Sequence, residues 1–131
     1  MPRRKSRILT DLELAIMQIV WDRGQASVEE IRDDLAATGH TLALPSIRTM
    51  LSILQKKKYL TRKAEGRRHI YSPRVPREKA QQSILRDVID RAFQGSATDM
   101  VAALIDARLV DPHDIDKATD LIRKAEEEDE R

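Results

Sequence analysis

The sequence predicts a mostly α-helical chain carrying one β-hairpin. Three observations predict it: apolar residues recurring at helical spacing behind N-cap signals, one stretch of β-branched and aromatic residues about a glycine turn, and a reversal of charge partway along the chain. Thr10-Asp11-Leu12-Glu13 fits a capping box and opens a helix from Asp11 to about Asp22. Its stripe is Leu12, Ala15, Ile16, Ile19 and Val20, with Trp21 closing the end and Gly24 placed to stop it. Ser27-Val28-Glu29-Glu30 is a second capping box, and its helix turns Val28, Ile31 and Leu35 inward before ending near Gly39.

After a short turn over His40 to Leu44, Pro45 suits the first position of a third helix, where its missing N–H has no partner to lose. Ile47, Met50, Leu51 and Leu54 form the core stripe of that helix. The opposite face keeps Ser46, Arg48, Thr49, Ser52 and Gln55, small and cationic groups that let a helix backbone enter a DNA major groove. A merely solvated face accounts for the same residues when this helix is taken alone. Tyr59–Lys63 and Arg68–Ser72 then read as two strands about Ala64-Glu65-Gly66-Arg67, a hairpin with a basic tip that Pro73 and Pro76 end. Helix, helix, recognition helix and hairpin, in that order, describe a winged helix-turn-helix over residues 1–76.

From residue 77 the pattern is helical again. Ile84, Leu85, Val88, Ile89, Ala92 and Phe93 form a stripe stopped by Gly95. Ser96-Ala97-Thr98-Asp99 caps a helix carrying Met100, Val101, Leu104 and Ile105, and Asp111-Pro112-His113-Asp114 opens a last one with Ile115, Ala118, Leu121, Ile122 and Ala125. Three amphipathic helices in so short a segment hide too little surface to satisfy one another, so residues 77–131 are expected to be a dimerisation domain. Leu85, Val88, Ile89, Met100, Val101, Leu104, Ile105, Leu121 and Ile122 are its expected contacts. A two-fold homodimer implies an inverted-repeat DNA site.

Charge supports this division. Residues 1–79 hold 17 Lys/Arg against 9 Asp/Glu, and residues 80–131 hold 7 against 13, so the net charge of +2 averages a basic half and an acidic one. The basic half attracts a polyanion; the acidic half is discouraged from it. The chain has no Cys, which removes disulfides, thiolate metal sites and cysteine nucleophiles. His40, His69 and His113 lack the spacing of a metal site or supported base, so neither enzymatic activity nor a cofactor is expected. Trp21, Tyr59, Tyr71 and Phe93 are scattered over different elements and read as core. No apolar stretch is long enough to cross a membrane, and a cytoplasmic location is expected.

Leu12-Glu13-Leu14, Ile16-Met17 through Val20-Trp21, Ser46-Ile47-Arg48-Thr49-Met50-Leu51 through Leu54, Lys57-Lys58, Glu65-Gly66-Arg67, Tyr71 and Pro73 together resemble the penicillinase-repressor family, the BlaI/MecI/CopY type of bacterial regulator. The resemblance implies a homodimeric repressor whose winged helix binds an inverted-repeat operator and whose C-terminal helices interlock. Family members acting in β-lactam resistance are released when a regulatory protease pathway cuts an Asn-Phe pair in the dimerisation helices. Ala103-Leu104 stands at that place here, so cleavage there requires a different specificity. Copper-responsive members carry a Cys-rich site that this chain lacks.

The expected DNA contacts are Ser46, Arg48, Thr49, Ser52 and Lys56 on the recognition helix and Arg67 and Arg68 at the wing tip. Lys57, Lys58, Arg62 and Lys63 are secondary candidates, His69 is placed beside phosphate, and the arm Arg3-Arg4-Lys5 is expected to be disordered without DNA. A non-specific architectural DNA binder and a winged-helix protein-interaction module are the competing readings.

Overall fold

The computed structural model describes residues 9–130, and the arm Arg3-Arg4-Lys5 lies outside them. The element order is α1 (Asp11–Arg23), β1 (Ala26–Ser27), α2 (Val28–Ala37), α3 (Leu44–Lys56), β2 (Leu60–Glu65), β3 (Arg68–Pro73), α4 (Arg77–Ala92), α5 (Ala97–Asp106) and α6 (Pro112–Asp129). Packing divides the chain into two compact units, one ending at Asp87 and the other beginning at Val88. The division falls inside α4 rather than at the prolines, because Ala80 in its first turns is buried in the core of the first unit.

In the first unit both capping boxes form reciprocally. The Thr10 hydroxyl accepts from the Glu13 backbone N–H, and the Glu13 carboxylate accepts from that of Thr10. Ser27 and Glu30 repeat the arrangement on α2. Gly24 ends α1 at a φ of +83°, which an L side chain rarely adopts. α1 and α2 are clasped at the surface by Arg23, whose Nε and Nη2 donate to the two Asp34 oxygens at 2.6 and 2.9 Å while Nη1 donates to Glu30 at 2.7 Å. The Arg23 guanidinium holds the Asp34 carboxyl below its ordinary range.

The core gathers Ile16, Met17 and Val20 of α1, Ile31 and Leu35 of α2, and Ile47, Leu51 and Leu54 of α3, all fully buried. Each such side chain contributes about 1.5–3 kcal/mol by leaving water. The sheet closes one side in the order β1-β3-β2, antiparallel throughout. β1 is an element the sequence pattern does not announce: Ala26 and Ser27 pair with Tyr71 and Ile70 and tie the start of α2 to the hairpin.

Trp21 does more than fill the core. Its Nε1–H donates to the Val75 carbonyl at 2.9 Å, and Arg77 lies over its ring at 5.6 Å while pairing with Asp22. These contacts fasten the segment between β3 and α4 to α1. In the second unit Ser96 and Asp111 cap α5 and α6. Neither helix buries a single residue, and Leu109, Leu121 and Ile122 are 70%, 68% and 61% exposed. No described helix is long and apolar enough to cross a membrane.

Candidate nucleic-acid interface

α3 is built to present one side. Ala43 precedes it without a side-chain cap, and Pro45 occupies its first turn, where the free backbone N–H groups need no intrahelical partner. With Ile47, Leu51 and Leu54 facing the core, helical spacing puts Thr49, Ser52, Ile53 and Lys56 on the opposite side and Ser46 beside them, and all five are exposed. Thr49 donates its hydroxyl to the Pro45 carbonyl at 3.0 Å, which uses its proton and leaves the oxygen able to accept. Ile53, 37% exposed, is an apolar member of this face that a search for polar groups passes over.

Arg48 and Gln55 lie at the edge of that face and line the space between α3 and the hairpin. The hairpin turn is tighter than the four residues expected from sequence: the ladder continues to Glu65–Arg68, leaving only Gly66-Arg67 at the tip. Gly66, at a φ of +60°, takes the first central position that a two-residue turn of this hand reserves for glycine. Strand alternation then sorts the wing cations. Arg62 pairs across from Tyr71, and His69 from Ala64, so Arg62, His69 and Tyr71 share one face. Lys63, Arg68 and Ile70 share the other.

The result is a concavity of about 400 Å³ lined by Arg48, Ser52 and Gln55 of α3, Arg62, Arg67, His69 and Tyr71 of the wing, and Val28 of α2. No carboxylate lines it. Among the described residues none of Arg48, Arg62, Arg67 and His69 is in an ion pair. Arg68, grouped with Arg67 on sequence grounds, is instead turned toward α2, its Nη2 3.9 Å from Glu30 Oε1. Arg62 and His69, secondary there, are central here.

Lys57 has an architectural position. Its Nζ donates at 2.9 Å to Glu13 Oε1, and Glu13 is only 2% exposed, so the end of α3 is bolted to the start of α1. Burial alone raises the Glu13 carboxyl. The Thr10 backbone N–H, the Lys57 ammonium and the Thr10 hydroxyl outweigh it and leave the group below its ordinary value. Burial and the Glu13 charge together push the nearby Tyr59 phenol up. Lys56 and Lys58 are exposed. Among the described residues no group of three or more His, Asp or Glu is arranged to hold a metal ion.

A winged helix-turn-helix with a small-residue recognition face beside a cationic groove lacking counter-charge is the architecture of a DNA-binding module. Within that class the chain belongs to the penicillinase repressor family, which it matches over residues 9–124. The penicillinase repressor of Bacillus licheniformis is 28% identical over 93 residues, 71% of this chain and 72% of that protein. An uncharacterised 16.5 kDa protein of Latilactobacillus sakei is 29% identical over 107 residues, 82% of this chain and 73% of its own length. The solution structure of the DNA binding domain of the repressor BlaI matches with a TM-score of 0.50 at 30% identity, covering 59% of this chain and 93% of that one. The family is one of DNA-binding repressors rather than enzymes.

Proposed function

We propose that this chain is a homodimeric transcriptional repressor that occupies an inverted-repeat operator and blocks transcription in the cytoplasm. The observation that carries the reading is the pairing, on one surface, of a small-residue helix face with an un-neutralised cationic groove. Ser46, Thr49 and Ser52 are short enough to let α3 sit deep in a major groove, Lys56 and Arg67 add charge at its margins, and Arg48 contacts DNA from the edge. Arg68 contributes where it exchanges Glu30 for a phosphate.

Dimerisation is assigned to the second unit and the end of the first. The exposed side chains of Leu85, Val88, Val101, Ile105, Leu121 and Ile122 support it, with the half-buried Ile89, Met100 and Leu104 beside them in sequence. The first unit also has an apolar groove of about 350 Å³ along α1 and α4, lined by Leu14, Gln18, Trp21, Ala80, Gln81, Ile84 and Leu85, which adds unsatisfied surface. Proteolysis at Ala103–Leu104 is proposed as one route of release. Both residues are half-buried within α5, so a protease must first unwind that helix, and α5 has no buried residue to resist.

The test is selection of bound fragments from a random double-stranded DNA library by the purified protein at near-physiological salt. Enrichment of an inverted repeat is the expected outcome. Enrichment of nothing, with binding retained, favours an architectural role, and loss of binding altogether favours a protein-interaction module.

A further inference from the structure

We propose that the concavity between α3 and the wing is a seat for one DNA backbone phosphate whose hold is proton-dependent. Arg48, Arg62 and Arg67 grip the phosphodiester by charge, and His69 joins them when its ring is protonated. The proposal rests on the DNA-binding reading and adds which group takes what, and a pH dependence.

Placement argues for phosphate rather than base. Arg48 lies at the edge of α3 that turns to the wing, not on the outward line of Thr49 and Lys56, so its guanidinium meets cations from two other elements. Three guanidiniums converging from a helix, a strand and a turn, with no lining carboxylate, need an anion held from several sides. An edge of a base pair offers no net charge and is approached along the groove floor; a phosphodiester offers both the charge and the oxygens. Arg48 therefore positions the protein, and sequence is read by Ser46 and Thr49.

His69 converts that seat into a proton-linked one. The groups that line the concavity with it are Arg48, Ser52 and Gln55 from α3, Arg62 from β2, Arg67 from the turn, and the neutral Tyr71 and Val28. The charged side chains that line the concavity with it are all cationic. A phosphate arriving among them offsets part of that positive charge and brings an acceptor oxygen beside the ring, which favours the imidazolium relative to the free protein. Binding is then coupled to proton uptake, and by linkage affinity rises as pH falls.

The experiment measures, by fluorescence anisotropy at fixed salt, binding of the full-length protein to a fluorescein-labelled duplex of arbitrary sequence. For the wild type Kd is expected to tighten roughly three- to tenfold between about pH 8 and about pH 6. His69→Gln is expected to lose the pH dependence over this range. Arg62→Ala and Arg48→Ala should weaken arbitrary and selected duplexes by the same factor and lower the salt slope by about one each. A flat wild type, a His69→Gln variant that keeps the dependence, or an Arg48→Ala loss confined to one sequence overturns the seat while leaving DNA binding in place. A wild type that binds no duplex at low salt overturns both. Where His69→Gln fails to fold, the ring resonances of wild-type His69 decide: a titration midpoint that moves up on adding duplex supports the proposal, and one that does not move overturns it.

Discussion

The two units of this chain use the same local grammar and reach different ends. α1 and α2 open on reciprocal capping boxes, as does α6, and α3 and α5 both carry an apolar stripe at helical spacing. Yet α1, α2 and α3 bury Ile16, Met17, Ile31, Leu35, Ile47, Leu51 and Leu54 completely, whereas α5 and α6 bury nothing. Caps and periodicity make a helix; only a second and third surface make a core. The difference between the units is that β1, β3 and the segment fastened by Trp21 close around the first set of helices, and no described element does so for the second.

The largest expected effect lies in the first core. Leu51→Ala leaves a cavity at a fully buried site and is expected to lower stability by about 2–5 kcal/mol, read by urea unfolding. Its cost should not depend on protein concentration. In the second unit the proposed dimer predicts the opposite. Leu104→Asp is expected to raise the dimer dissociation constant by roughly two orders of magnitude, the equivalent of about 3 kcal/mol, and to weaken operator binding in step. Sedimentation that is unchanged by Leu104→Asp would break the contrast, because the exposed stripe would then have no partner to lose.

Much of this contrast is legible in the sequence, and the parts that are not share a cause. The caps at Thr10, Ser27, Ser96 and Asp111, the stripe of α3 and the glycine of the wing are all local signals, and they appear where the sequence puts them. β1 escapes because two residues carry no periodicity and its pairing to Ile70 and Tyr71 is set by the fold. Glu13 reads as a cap residue, but the Lys57 that neutralises it is 44 positions away. Trp21 reads as core, and nothing near it in sequence announces the Val75 carbonyl. The separation of Arg67 from Arg68, and the promotion of Arg62 and His69, come from strand register. Once the turn is fixed at Gly66-Arg67, period two assigns Arg62 and His69 to one face and Arg68 to the other; a four-residue turn leaves that assignment open.

The bolt between Glu13 and Lys57 sharpens the comparison at an intermediate scale, since the second unit has no buried ion pair among its described residues. Glu13→Gln keeps an acceptor for the Thr10 N–H but leaves the Lys57 ammonium without its buried counter-charge, and a loss of about 1–3 kcal/mol is expected. The sign with pH is fixed by the direction of the shift. The folded carboxyl titrates below its unfolded value, so near that unfolded value, about 4.3, the unfolded chain binds more protons. The contribution is therefore present above that pH and is lost as pH falls through the folded value. Urea unfolding of Glu13→Gln should lack this part of the acid limb while matching the wild type's shape at neutral pH.

The smallest effect compares one motif in two settings. α3 and α5 end alike: Lys58 at a φ of 66° and Arg108 at 56° both adopt the left-handed conformation, with backbone N–H groups returning to Gln55 and Leu54 in one case and to Ile105 and Leu104 in the other. The residue after each cap sits differently. Tyr59 is 9% exposed and seals the end of α3, while Leu109 is 70% exposed. Glycine at either position removes the clash of a Cβ at positive φ, a gain of about 0.5–1 kcal/mol after the entropy glycine adds to the unfolded chain. Lys58→Gly should deliver that gain to the whole first unit, because its helix end is locked into the core, and raise its thermal midpoint accordingly. In Arg108→Gly the gain should reach the unfolding midpoint only at protein concentrations where a partner covers Leu109 and its neighbours; below them it tightens one turn of α5 and nothing more. Equal gains from the two variants in dilute solution would mean that the second unit folds cooperatively by itself, and the case for a partner built on its exposed stripes would have to be given up.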